Sequence, residues 1–415
     1  MPEVIPKDST DFKYEFEKPE LQGELKQQPS DFQVKENLKF ALRGEGQHLC
    51  LFIEKQLLNT LDAVKILARF FNVPEKDIGY FGMKDKLAIT SQWFSVDLAK
   101  SHYDENYCES FDTQFSELLQ STLGFNLAGK KRQDDKEESS KIPHVKRMQI
   151  PLMKIISISR NHKKFKIGQL ASNSFRVCIR DIRKVDTVKD LSIPLDKKIQ
   201  QDLEKRLKDI STLGYPNYFG EQRFGRDNKN IELLKKHLKS DLSKRRALRS
   251  RLISTLRALI FNRYLSERIQ EKTLRQYKLG DVLQFPDSRT LFTEINDNPE
   301  DSSDQSISVI QNRIDLGGVY ITGPMLGFNA GKAERDSLVF ESMISRKFRT
   351  YLPFLERHKV QSARRALITQ PKNMTWQWLD NDLLLSFELP SGSFATSMIR
   401  ELVNYRAQKA SQAKP

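Results

Sequence analysis

The stretch Ile78-Gly79-Tyr80-Phe81-Gly82-Met83-Lys84-Asp85-Lys86-Leu87-Ala88-Ile89-Thr90-Ser91-Gln92-Trp93-Phe94-Ser95-Val96 decides how this chain is read. Ile78 to Gly82 has the composition of a short strand. From Ile89 to Val96, β-branched and aromatic residues alternate with small polar ones, the period of a second strand. Between them lies a Gly-punctuated loop with an aspartate, Asp85, flanked by two lysines. Upstream, Leu61, Val64, Leu67, Ala68 and Phe71 form the apolar stripe of a helix, with Thr60 placed at its N-cap and Pro74 beyond its end. A helix, a strand, a charged loop and a second strand predict an α/β scaffold that carries the loop, and loops anchored on such scaffolds often hold catalytic groups. A Lys-Asp-Lys turn can also be a plain solvated turn, so the surrounding charge matters.

That charge is strongly positive. The 415 residues hold 69 Lys and Arg against 54 Asp and Glu, a formal +15, which suits a polyanionic partner. Residues 141 to 180 contain ten cations and no acid. Within them Phe175-Arg176-Val177-Cys178-Ile179-Arg180 alternates as a strand with one apolar and one largely cationic face. A second cationic surface is expected on a long helix whose buried stripe is Leu248, Leu252, Leu256, Leu259 and Ile260.

Other segments mark organisation. Residues 126 to 146 are too polar to pack and read as an excursion, and the acidic run 296 to 304 reads as a solvent loop. An amphipathic helix is expected over 196 to 210, a domain crossing over 214 to 225, and a turn opening a helix over 391 to 402. Length alone allows two or three domains.

Several chemistries are disfavoured. Cys50, Cys108 and Cys178 are odd in number and far apart, as expected of free thiols in a reducing compartment. The six histidines never fall at i,i+3 or i,i+4, so no metal site is expected. Gly323, Gly327, Gly331 and Lys332 lack the first glycine and the Ser/Thr of a phosphate loop, because Leu326 and Ala333 stand there. Neither G-x-G-x-x-G after a strand nor G-x-S-x-G is found. No apolar run approaches a membrane span and no leader pattern opens the chain, so a cytoplasmic protein is expected.

Six segments in order resemble the TruD family of tRNA pseudouridine synthases. They are Leu25-Lys26 with Asp31 to Glu36, Gly44 to Leu49, Gly82-Met83-Lys84-Asp85 with Ala88, Thr90 and Gln92, Asn173-Ser174-Phe175, Pro216 to Gly225, and Leu389 to Thr396 with Arg400 to Leu402. The resemblance implies isomerisation of uridine 13 in the D arm of tRNA, without a cofactor and with tRNA as partner. Asp85 falls on the family's catalytic aspartate and Lys26 on its basic partner, a cation of the kind that favours an ionised carboxylate. Phe175 falls on the aromatic that stacks on the base, Asn173 on its polar neighbour, and Phe394 on a further aromatic of the pocket. The implied fold is an α/β catalytic domain with a mixed, mainly antiparallel sheet (residues 1–214 and 370–415), interrupted by a family-specific α/β insertion over 215–369. A monomer is the default expectation. The rival reading is a non-catalytic RNA-binding protein or chaperone using the same basic surfaces; it would tolerate Asp85→Asn.

Overall fold

The computed structural model describes residues 11–100, 106–124, 151–185, 195–286, 288, 290–293, 304–329 and 332–407. The expected excursion at 126–146 and most of the acidic run at 296–304 lie outside them, as does the start of the cation-rich stretch.

Strands β1 (Leu21–Leu25), β2 (Phe32–Leu38) and β3 (His48–Gln56) precede helix α1 (Thr60–Phe70). Strands β4 (Ile78–Tyr80) and β5 (Ile89–Asp97), helix α2 (Phe111–Leu123), and strands β6 (Leu152–Asn161) and β7 (Leu170–Lys184) follow. Next comes a run of helices and short strands: α3 (Lys197–Leu213), β8 (Tyr215–Pro216), α4 (Lys229–His237), α5 (Arg246–Gln270), β9 (Leu283–Gln284), β10 (Leu291–Phe292), α6 (Asp304–Asp315), β11 (Tyr320–Met325), α7 (Arg335–Arg346), α8 (Leu352–Arg357), β12 (Ala363–Ala366) and β13 (Ile368–Thr369). Strands β14 (Lys372–Leu379) and β15 (Asp382–Pro390), helix α9 (Ala395–Leu402) and strand β16 (Asn404–Ala407) complete the order.

Two compact units result. One comprises Leu21–Leu195 and Lys372–Gly392 with the residues from Tyr405; the other comprises 11–20, Asp196–Pro371 and Ser393–Asn404. The first is built on a ten-stranded sheet with the path β14-β15-β7-β2-β5-β3-β6, to which β1, β4 and β16 add. Along that path β2 and β5 pair in parallel and the other pairings are antiparallel, giving the expected mixed, mainly antiparallel sheet. Leu49, Leu51 and Ile53 of β3 and Phe94 and Val96 of β5 send alternate side chains into a core closed by Val64, Leu67, Phe71, Phe111 and Leu119 of the α1–α2 region. In the second unit a four-stranded sheet, β10-β9-β11-β12, accompanies α5, whose Leu252, Leu256, Leu259 and Ile260 are buried as expected.

Two local expectations shift. The cap of α1 is Asn59, not Thr60: the Asn59 side chain accepts from Asp62 N at 2.9 Å, and the Asp62 carboxylate accepts from Asn59 N at 3.0 Å. Thr60 is already helical, which frees its hydroxyl for the loop described below. The cationic face of β7 is partly neutralised, because Arg180 pairs with Asp31 at 2.7 Å and Asp382 at 2.9 Å. Those acids lie on distant segments, beyond the reach of local periodicity. All three cysteines are free and buried. No described helix is long and apolar enough to cross a membrane.

Candidate active site

Alternation along β2 turns Phe32, Val34 and Glu36 to one buried face of the sheet. Antiparallel register sets Val177, Phe175 and Asn173 of β7 opposite those three residues, and β15 continues the rows with Phe387 opposite Phe175 and Leu389 opposite Asn173. On the other side of β2, Thr90 of β5 is aligned with Val34, and Lys55 of β3 with Thr90. Cross-strand register therefore gathers Asn173, Phe175, Glu36 and Lys55 on one face, although they are up to 139 positions apart in the sequence.

Asp85 is carried to this face by the loop between β4 and β5, and its carboxylate is ion-paired with Lys26. Lys26 follows β1 directly in a left-handed conformation (φ 56°), which is uncommon for a lysine and costs backbone energy that the surrounding contacts must offset. Its ammonium also stands 4.3 Å from the centre of the Phe32 ring, a cation–π contact. The lysine side chain is 9% exposed and the aspartate 34%, so the cation is sunk while the carboxylate still meets solvent. Phe32 makes an edge contact with Phe175 at 6.1 Å, and Phe175 stacks on Phe387 at 5.3 Å. Carboxylate, ammonium and aromatic rings thus form one continuous group. The Asn173 Oδ1 atom is buried without a hydrogen-bond partner, an acceptor left open beside Phe175.

The loop itself is held at three points. The Lys84 N–H donates to Thr60 Oγ1 at 2.8 Å, Gln92 Nε2 donates to Gly82 O at 3.3 Å, and Lys84 Nζ donates to Glu36 Oε1 at 2.6 Å. Thr60 in turn donates to Gln92 Oε1 at 3.0 Å, and Trp93 N–H donates to Glu36 Oε2 at 2.8 Å. Burial raises the Glu36 carboxyl above its ordinary range, opposed mainly by the charge and hydrogen bond of Lys84. Behind it, Lys55 is 1% exposed and donates to Leu58 O at 2.7 Å. Burial pulls its ammonium down to about 8, Lys84 adds to the fall, and Asp85, Asp62 and Glu36 oppose it.

Phe394 belongs to the second unit, where it caps α9. Its carbonyl accepts from the Tyr215 hydroxyl at 3.3 Å, its ring lies 5.9 Å from Phe219, and the Arg365 guanidinium is 5.9 Å from its centre. A depression of about 340 Å³ on the α1 side is lined by Lys65, Arg69 and Glu75, apart from Asp85. The placement of Glu36 and Lys55, and the contact of Thr60 with the loop, are missing from the sequence reading. The available signal was a charge at a core position of an alternating strand, Glu36 after Phe32 and Val34, and Lys55 after Leu51 and Ile53.

Comparisons with known proteins agree on one family. The model for tRNA pseudouridine synthase D (TruD) matches residues 11–122, 136–244 and 244–402. The tRNA pseudouridine synthase D of Vibrio vulnificus is 31% identical over 387 residues, covering 93% of this chain and 94% of that protein. That of Hydrogenovibrio crunogenus is 31% identical over 399 residues, covering 96% and 97%. A crystal structure assigned to TruD, from Methanosarcina mazei, superposes with a TM-score of 0.61 at 20% identity over 96% of this chain and 97% of that one. With a family model matching nearly the whole length, this chain belongs to the TruD family of pseudouridine synthases.

Proposed function

We propose that this protein isomerises uridine to pseudouridine in tRNA, at position 13 of the D arm, with Asp85 as the reacting carboxylate. The observation that carries the reading is the ion pair between the part-exposed Asp85 and the sunken Lys26, on a face shared with Phe175 and Asn173, in a chain of this family. Asp85 attacks C1′ of the ribose or C6 of the uracil, or acts as base toward a glycal; in each route the C1′–N1 bond breaks and a C1′–C5 bond forms. The hydrogen on C5 leaves as a proton and N1 gains one, so no electrons or atoms are exchanged with a second reactant and no cofactor is called for. The detached uracil has to be retained while it turns, which favours an enclosed apolar surface.

A base inside folded RNA must leave its stack first, at about a few kcal/mol, and stacking on an aromatic ring returns about 1–3 kcal/mol. Phe175 suits that task, with Phe32 and Phe387 fixing its plane, and Asn173 offers a polar edge. Phe394, in the second part of the catalytic domain at 370–415, is assigned to substrate binding, and the family insertion to 215–369. The excess of cations grips phosphates without reading sequence.

Unmodified tRNA incubated with wild-type and Asp85→Asn protein tests the reading, with pseudouridine mapped at single-nucleotide resolution. Wild type should modify position 13, and Asp85→Asn should bind the tRNA while forming no product. Product from the variant at the wild-type rate would show that Asp85 is not the reacting group.

A further inference from the structure

The Lys84–Glu36 ion pair has no part in the chemistry just described, yet the Glu36 carboxylate is fully buried and Lys84 is the residue that precedes Asp85. Burying an ion pair costs desolvation that its mutual attraction often fails to recover, so a well-packed apolar pair of similar volume would usually be no less stable. A fold alone does not need these charges. What they do is directional. Glu36 is fixed on β2 by the sheet and by the Trp93 N–H, and it accepts the Lys84 ammonium at 2.6 Å. Thr60, at the start of α1, holds the main chain of the same lysine at 2.8 Å, and Gln92 joins Thr60 to Gly82 O. Residue 84 is therefore fastened through both its backbone and its side chain to two different elements. That leaves the following residue little freedom in the direction its side chain takes.

We infer that Glu36 and Lys84, together with the Thr60 hydroxyl, are positioning residues that aim the Asp85 carboxylate at its substrate without touching that substrate. The inference rests on Asp85 being the reacting group. It differs from a stability role in its consequence: loosening the clamp lowers turnover while leaving substrate affinity and the fold in place. Misplacing a reacting group by about 1 Å is enough to cost about 100-fold in rate.

The test uses full-length protein and unmodified tRNA, with Asp85→Asn in parallel. A double variant, Glu36→Met with Lys84→Met, removes both charges at once and avoids stranding one of them in the interior. The Trp93 N–H loses its acceptor, which offsets the gain from removing the buried charges, so the variant should melt close to the wild-type temperature, keep KM for tRNA within about twofold, and lose about 100-fold in kcat. Thr60→Val removes the acceptor for the Lys84 N–H and the donor to Gln92 Oε1, while the helix cap, Asn59, stays; it should lose about 10-fold in kcat with KM unchanged. If the double variant does not fold, Thr60→Val decides alone. Should kcat of the folded variants stay within about threefold of wild type while Asp85→Asn is inactive, the positioning role is wrong and the aspartate assignment stands. An active Asp85→Asn protein would instead remove the assignment on which the inference rests.

Discussion

Replacing Lys55 by methionine should make the sheet unit more stable at neutral pH and less stable at high pH. The ammonium is 1% exposed, and its pKa falls from 10.5 to about 8, chiefly by burial. At about 1.4 kcal/mol per pH unit, that fall is a penalty of about 3 kcal/mol on the folded state. The sign follows from proton counting. Below pH 8 the lysine is protonated folded and unfolded, and the full penalty is present. Between about 8 and 10.5 the folded form sheds its proton while the unfolded form keeps it, so wild-type stability rises with pH and the penalty is gone above 10.5. Lys84, Asp85, Asp62 and Glu36 are the charges acting on Lys55, and their influence is already contained in that net fall. Methionine removes the penalty but takes the donor from Leu58 O, a loss of about 1–2 kcal/mol. The variant should therefore be about 1–2 kcal/mol more stable than wild type at pH 7 and about 1–2 kcal/mol less stable near pH 10.5, with a crossing between. All three tryptophans, Trp93, Trp376 and Trp378, lie in the sheet unit, so urea unfolding followed by tryptophan fluorescence reports on that unit. A stability difference between the two proteins that stays constant from pH 7 to 10.5 would refute the reasoning.

Phe175→Ala removes a half-buried ring held by one stacked and one edge contact; it should cost no more than about 3 kcal/mol of stability yet lower kcat/KM for tRNA about 5- to 150-fold, the value of one base stack. Circular dichroism melts and single-turnover rates separate the two effects, and a variant that melts far below wild type would mean the ring is core. Arg268→Met strands the fully buried Asp281, which also accepts from Ser337 Oγ at 2.7 Å, and should cost about 3–5 kcal/mol in the second unit. Hydrogen exchange along α5 measures that loss; exchange as slow as in wild type would show the pair to be dispensable.

The scaffold could be read from the sequence wherever the signal was local. Strands β4 and β5, helix α1, the buried stripe of α5 and the turn before α9 all declare themselves through periodicity or turn residues a few positions apart. The helix cap was misplaced by one residue because Asn59 and Thr60 are both good caps, and only the backbone angles separate them. The candidate site was legible in a different way. Nothing local links Lys26 to Asp85, 59 positions away; family resemblance named both, and in the fold their side chains pair. The charged face expected on β7 ignored Asp31 and Asp382, which answer Arg180 from distant segments.

The buried charges were the least legible part, for a physical reason. Lysine and glutamate are almost always exposed, so Lys55 and Glu36 look like ordinary surface residues until strand alternation is taken literally. Taken so, each occupies a position where its neighbours two residues away, Ile53 and Val34, are core. A charge at such a position either is a mistake of phase or is kept at a cost to stability. Here the parallel pairing of β2 with β5, a long-range contact that periodicity cannot supply, sets the Glu36 carboxylate against the ammonium of Lys84 and the N–H of Trp93. The antiparallel register of β3 with β5 places Lys55 within the field of Asp85. Two independent departures from the apolar pattern converge on the loop that carries one aspartate. An apolar sheet face would fold as well, and the proposed role of Asp85 as the reacting carboxylate accounts for the convergence.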